Sequence, residues 1–341
     1  MRKPKSILIG NEFLQITLLP EVGGKIASIR SVVSGEEFLL PSLREYGVVS
    51  AGAQFSEGDC GGFDECLPSV AACDGVGDEG AVPDHGDLWR VAWEVDSADD
   101  EMVEMHVDAR SRPLRLTRVA RLKGASLRLE YTLKNLSDVA ASWLWSAHPL
   151  LKVDAGDRIV LPKGIDAVEV EYAAGSLLKR GEVASWPVAQ SSAGETLDLS
   201  VVGERDGIRA HKLFARMART DESGYGGVYR TKARQGIVVR FDPAVLPYLG
   251  MWICLGAWPD EGAQKQYTVA LEPTTSPVDS LEVAMAGNDA RSLGGGESCR
   301  WWMEIEVIGA EKPVSFERFV GLAEVSRYLM SGGAHSRQPD V

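Results

Sequence analysis

The chain has 341 residues, a net charge of −13, and 45% apolar and 25% charged residues. That length can bury a sizeable core, and the composition is ordinary for a globular protein. The acidic excess argues against nucleic acid, whose phosphates need basic patches, and against anionic membrane surfaces.

The first 21 residues start basic, but Asn11, Glu12 and Gln15 interrupt any apolar run. They do not read as a signal segment, and no stretch reaches the roughly 18 apolar residues that span a bilayer. A cytoplasmic protein is expected. The five cysteines agree, being odd in number and lacking disulfide or zinc spacing. Cys60, Cys66 and Cys73 are close in sequence, but no CxxC and no interleaved histidine suggests a metal.

In chain order, Leu14–Leu19 reads as an early strand, stopped by Pro20. Period-two alternation then marks Met102–Asp108, Leu114–Leu122 and Leu127–Lys134. In the last of these, Leu127, Leu129, Tyr131 and Leu133 share one face. Trp301–Val307 repeats the rhythm late in the chain. Turn signals separate the runs, among them Val22-Gly-Gly24 and Gly294-Gly-Gly296. Helical spacing is confined to Val278–Ala286 and Phe316–Met330. The expected fold is all-β, a large antiparallel sandwich over residues 1–312 with few short helices. A helical segment over 313–330 and a disordered tail over 331–341 follow.

Two glycine-bearing loops, Ser56–Ser69 and Val82–Trp89, are too polar for strands. Loops of this kind on a β scaffold commonly carry sites. The apolar run Trp143–Val153 contains His148 followed by Pro149, which has no amide proton and suggests a strand end or edge there. A core histidine bonded to a carbonyl is the plainer explanation of this stretch alone. Tyr267–Thr275 has the same form: Glu272 sits on the face of Thr268 and Ala270, before Pro273. Burial would raise the pKa of that carboxyl, although a solvated or arginine-paired glutamate fits equally. His85 lies beside Gly86 and near Trp89, a combination of donor and flat surface that suits a polar ring, or simply a solvated loop. Asp64 and Glu65 would bind a ligand hydroxyl or cap their own loop. His106 reads as exposed, and His211 and His335 carry no signal.

Taken together, these segments resemble the galactose mutarotase-like (aldose 1-epimerase) superfamily, in a divergent bacterial branch. The resemblance runs from Gly10–Gly24 and Ile26-Ala-Ser28 through Ala147-His-Pro149 and Leu271-Glu-Pro273 to Arg300-Trp-Trp302. Gly61-Gly-Phe-Asp-Glu65 and Asp84–Trp89 resemble the pocket loops of that branch. It implies a β-supersandwich with a shallow sugar cleft and no cofactor or metal. Glu272 would be the general base on the anomeric hydroxyl and His148 the general acid on the ring oxygen. His85 would bind the ring oxygen or a neighbouring hydroxyl, with Asp64, Glu65 and Trp89 as further substrate contacts. The partner would be a monosaccharide or related carbohydrate, and the chain a monomer or homodimer. One departure concerns the substrate. The arginine of the family's Asn-Arg segment has no counterpart, and Arg90 and Arg115 lack a phosphate context, so an unphosphorylated sugar is expected. Other readings are a non-catalytic carbohydrate-binding protein, a lyase using Tyr248 and Lys25, or a glycosidase pairing Glu272 with Asp64 or Asp242.

Overall fold

The computed structural model describes residues 4–325, apart from 48, 51, 76–78, 176–177, 191–193, 219–222 and 263. Two antiparallel sheets dominate. The larger has ten strands in the spatial order Ile7–Gly10, Leu14–Leu19, Lys25–Ser31, Phe63–Cys66, Ser146–Lys152, Tyr267–Thr274, Tyr248–Leu255, Ala210–Arg216, Ala167–Ala174 and Val183–Ser185. The smaller has eight: Arg158–Val160, Gly224–Arg230, Gln235–Phe241, Ser298–Ile308, Ser126–Asn135, Leu114–Lys123, Met102–Asp108 and Glu94–Ala98.

Alternation explains why the sheets stack. Leu127, Leu129, Tyr131 and Leu133 are buried while Arg128, Glu130 and Lys134 point outward. These residues join Leu213, Met251, Val269 and Leu271 of the large sheet in one apolar cluster. Burying such a side chain stabilises by roughly 1.5–3 kcal/mol. The two α-helices among the described residues are short, Leu281–Ala286 and Phe316–Glu324. Ser280 and Ser315 cap them, each accepting from a backbone amide three residues on. Phe319 and Ala323 of the second helix seal against Tyr229 and Val238. The helix expected to reach Met330 ends at Glu324, and residues 326–341, including the expected tail, lie outside the described residues.

A polar bridge crosses this apolar layer. Glu65 of the large sheet accepts from Arg118 at 2.9 Å and from the Tyr131 hydroxyl at 2.8 Å, both on the small sheet. All three are at most 1% exposed. Arg118 also donates to the Gly24 carbonyl and lies over the Trp93 ring. Tyr131→Phe removes a donor to a buried charge, so a loss of about 1.5–3 kcal/mol is expected in denaturant unfolding. A loss below about 0.5 kcal/mol would show that Arg118 alone satisfies Glu65.

The run Trp143–Val153 is not one strand. Ala141–Trp143 pairs with Arg291–Leu293, the chain breaks at 144–145, and Ser146–Lys152 enters the centre of the large sheet. Pro149 is therefore neither at a strand end nor at an edge. By the flanking register it stands opposite Leu271, and a second proline, Pro273, stands opposite Ala147 in the neighbouring strand. Both lack an amide proton, and the ladder between these strands has a gap between Ser146↔Thr274 and Leu150↔Ala270.

Candidate active site

That gap holds the two residues expected to carry chemistry. The flanking pairs place His148 across from Glu272 on the sheet face turned away from the small sheet. On this face a cleft of about 450 Å³ opens, walled by the loops that carry Phe55 and His85 and floored by His148, Glu272, Lys212 and Trp252. Glu272 is fully buried. One carboxylate oxygen, Oε2, is ion-paired with Lys212. The other, Oε1, stands 3.8 Å from His148 Nε2, beyond hydrogen-bond range, and accepts no hydrogen bond among the described residues. Asp279 lies 3.6 Å from the Lys212 ammonium.

Electrostatics separate the two groups. Burial raises the Glu272 carboxyl above its ordinary value, and the neighbouring Lys212 offsets this only in part. Burial, reinforced by His85, Lys212 and Lys25, holds the His148 imidazole well below its ordinary value. Burial also opposes the charge on Lys212, but Asp279 and Glu272 outweigh it and keep the ammonium protonated.

His85 is brought to the same place. It adopts a left-handed backbone at φ 56° and is followed by Gly86 at φ 69°, where a Cβ would meet the Leu67 carbonyl oxygen at 2.2 Å. Only glycine fits there. The turn stacks the His85 ring on Phe55, 4.1 Å between centroids, and sets it edge-on to His148 at 5.1 Å. Asp84 Oδ1 lies 2.9 Å from His85 Nδ1, and Asp84 Oδ2 accepts from the Phe55 amide at 2.6 Å. With Nδ1 engaged, Nε2 of His85 makes no hydrogen bond among the described residues.

Three expected contacts sit elsewhere. Trp89 is buried under the loop, its indole donating to the Asp84 carbonyl at 3.0 Å, so it props the histidine turn and does not line the cleft. Glu65 opposes Ala147 across the strands and therefore points into the inter-sheet core. Asp64 opposes His148 and shares its face, but it is closed off in an ion pair with Lys25, which Asp59 also contacts at 3.1 Å. Burial pushes the Asp64 carboxyl up to about 6 despite that lysine. Tyr248 and Asp242 do not line the cleft either: Tyr248 stacks with Arg216, and Asp242 caps a turn through the Ala244 amide. Arg90 donates to the Asp84 carbonyl, and Arg115 pairs with Asp108 on the surface.

Lys212, Asp279, Trp252 and Trp258 line the cleft and were not singled out from sequence. Lys212 did leave a signal, a lysine inside the apolar strand Ala210–Arg216. Among the described residues, no group of three histidine, cysteine or acidic side chains is placed to hold a metal. No helix there is long and apolar enough to cross a membrane.

No family model matches the chain, and no curated protein does. Solved structures do. The galactose mutarotase related enzyme of Lactobacillus acidophilus superposes with a TM-score of 0.65 at 14% identity, covering 92% of this chain and all of that one. The galactose mutarotase-like protein of Clostridium acetobutylicum gives 0.64 at 15% identity, covering 89% and 95%. The chain has the galactose mutarotase-like fold. A third match, the Slr1438 protein of Synechocystis, gives 0.65 at 17% identity over 90% and 96% of the two chains. The mutarotase-like fold thus spans nearly the whole chain, and its ten-stranded sheet carries the cleft.

Proposed function

We propose that the chain is an aldose 1-epimerase that interconverts the α and β anomers of an unphosphorylated monosaccharide unit. The observation that carries this reading is the gap between Glu272 Oε1 and His148 Nε2. They are two buried titratable groups, 3.8 Å apart, both facing a cleft. A sugar bound there would offer its anomeric hydroxyl to Glu272 Oε1. As that proton leaves, the bond from the anomeric carbon to the ring oxygen breaks, and the ring oxygen takes a proton from His148. The open aldehyde rotates about its carbon–carbon bond. Reclosure with the proton transfers reversed gives the other anomer. His85 Nε2 would hold a neighbouring hydroxyl, and the Trp258 ring would cover the apolar ring face. Each positioned acid or base contributes about 10²–10⁴-fold. No cofactor enters this scheme.

The cleft walls favour an uncharged sugar. Asp84, Glu171, Asp260, Glu272 and Asp279 line it, against Lys212 and Arg180. Both cations are already paired with carboxylates, at Glu272 and Glu171. A phosphate would meet uncompensated acids. The test is anomer exchange followed by NMR on neutral and phosphorylated aldoses. Exchange faster than buffer for a neutral aldose is the expected result. Buffer rates for every sugar, with binding retained, would instead favour a carbohydrate-binding protein.

The scheme needs the pair to share a single proton. Its loss with rising pH is governed by the raised Glu272 value, and gain of a second with falling pH by the lowered His148 value. A bell-shaped kcat/KM is expected, its acid limb set by His148 and its basic limb by Glu272. A profile without an alkaline limb, or one whose alkaline limb is unmoved in Glu272→Gln, would contradict it.

A further inference from the structure

The cleft is longer than the chemistry requires. Its outer end is formed by Glu171, Tyr172, Arg180, Trp252 and Asp260. Tyr172 pairs across the sheet with Lys212, Lys212 with Trp252, and Trp252 with Ala270 of the Glu272 strand. That is three strand spacings, or about 14 Å at roughly 4.8 Å each. Tyr172 therefore stands well to one side of a pyranose ring centred over Glu272 and His148.

Three details indicate that this end is built to receive something flat. The register of the Ala167–Ala174 strand slips between Val170 and Tyr172. In a regular strand Glu171 and Tyr172 would point to opposite faces. Here both line the cleft, which is the re-aiming that a bulge accomplishes. Tyr172 is 41% exposed and leans on Trp252, with 5.8 Å between centroids. The Trp252 indole spends its one donor on Gln266 Oε1 at 3.0 Å, which fixes the plane of the ring and leaves an apolar surface. Beside this tilted aromatic pair, Glu171 and Arg180, 2.7 Å apart, offer further acceptors and donors. Aromatic floor plus polar rim is the chemistry that recognises a sugar ring.

We propose that the outer half of the cleft is a second sugar subsite, so that the substrate is a neutral disaccharide or longer glycan bound with its reducing ring over Glu272 and His148. This rests on the epimerase reading for the placement of the reducing ring, but its test does not depend on turnover. The full chain would be titrated calorimetrically with glucose and galactose, and with maltose, cellobiose, lactose and melibiose. One of the disaccharides is expected to bind at least roughly tenfold tighter than its own reducing monosaccharide. Tyr172→Ala should bring that ratio close to one, and Tyr172→Phe should keep it. Because Tyr172 is substantially exposed, neither change threatens the fold. Disaccharides binding no tighter than monosaccharides would overturn the proposal, as would a ratio unmoved by Tyr172→Ala. Accelerated monosaccharide exchange without any disaccharide gain would remove the outer subsite and leave the epimerase reading standing. Disaccharide gain without anomer exchange would do the reverse.

Discussion

Glu272→Gln should reduce anomer exchange to the rate in buffer, a loss of at least about 10²–10⁴-fold. The amide is nearly the same size as the carboxyl, so the cleft keeps its shape, but it accepts no proton at neutral pH. Lys212 loses its partner at Oε2 and retains Asp279, 3.6 Å away. Folding should therefore survive, and sugar binding should fall far less than turnover. The check is exchange spectroscopy and calorimetry on the same preparation. A Gln variant that still exchanges well above the buffer rate would remove Glu272 from the chemistry and with it the proposed mechanism.

Lys212→Met should have the second large effect, on two quantities at once. Removing one partner of a buried pair typically destabilises by about 3–5 kcal/mol, because the remaining charge is stranded. Glu272 would be left in an apolar setting with Asp279 nearby, and both influences push its carboxyl further up. A smaller share of Glu272 would then be ionised and able to act as a base, so exchange should drop, by up to about 10²-fold. Lys212→Arg should restore most of the stability. Carbon-13 NMR titration of the glutamate carboxyls would show the shift without reference to activity. A Glu272 midpoint unmoved in the Met variant would mean that the lysine serves packing alone.

Much of the fold was legible because one face of each long strand is wet. In Ser126–Asn135 the alternation of Leu127, Leu129, Tyr131 and Leu133 with charged residues identifies the core side directly. The strands that build the cleft are different. Ser146–Lys152 and Tyr267–Thr274 are buried on both faces, so period two disappears and only the isolated His148 and Glu272 stand out. The pair was found because titratable residues are conspicuous in apolar runs. The apolar run also hid the break at 144–145 and made Pro149 look like a terminator, since a second proline in a strand more than a hundred residues later cannot be seen locally. Asp64 and Glu65 look alike in sequence. Their neighbours in space, Lys25 on one face and Arg118 on the other, are what decide that both are spent on structure. The aromatic outer end was invisible for the same reason: Tyr172 and Trp252 come together only through register, and the slip that exposes Tyr172 leaves no mark in the residues themselves.

The central position of Ser146–Lys152 has a consequence for how the chain is made. One of its neighbours, Phe63–Cys66, is already synthesised when it emerges, but the other, Tyr267–Thr274, arrives more than a hundred residues later. At about 5–20 residues per second, several seconds pass with an apolar strand paired on one side only. Such an edge invites pairing with another nascent chain. Pro149 lessens that hazard, because a strand missing an amide proton is a poor template for a stranger. The same omission that opens the ladder around His148 and Glu272 thus also guards the unfinished sheet during synthesis.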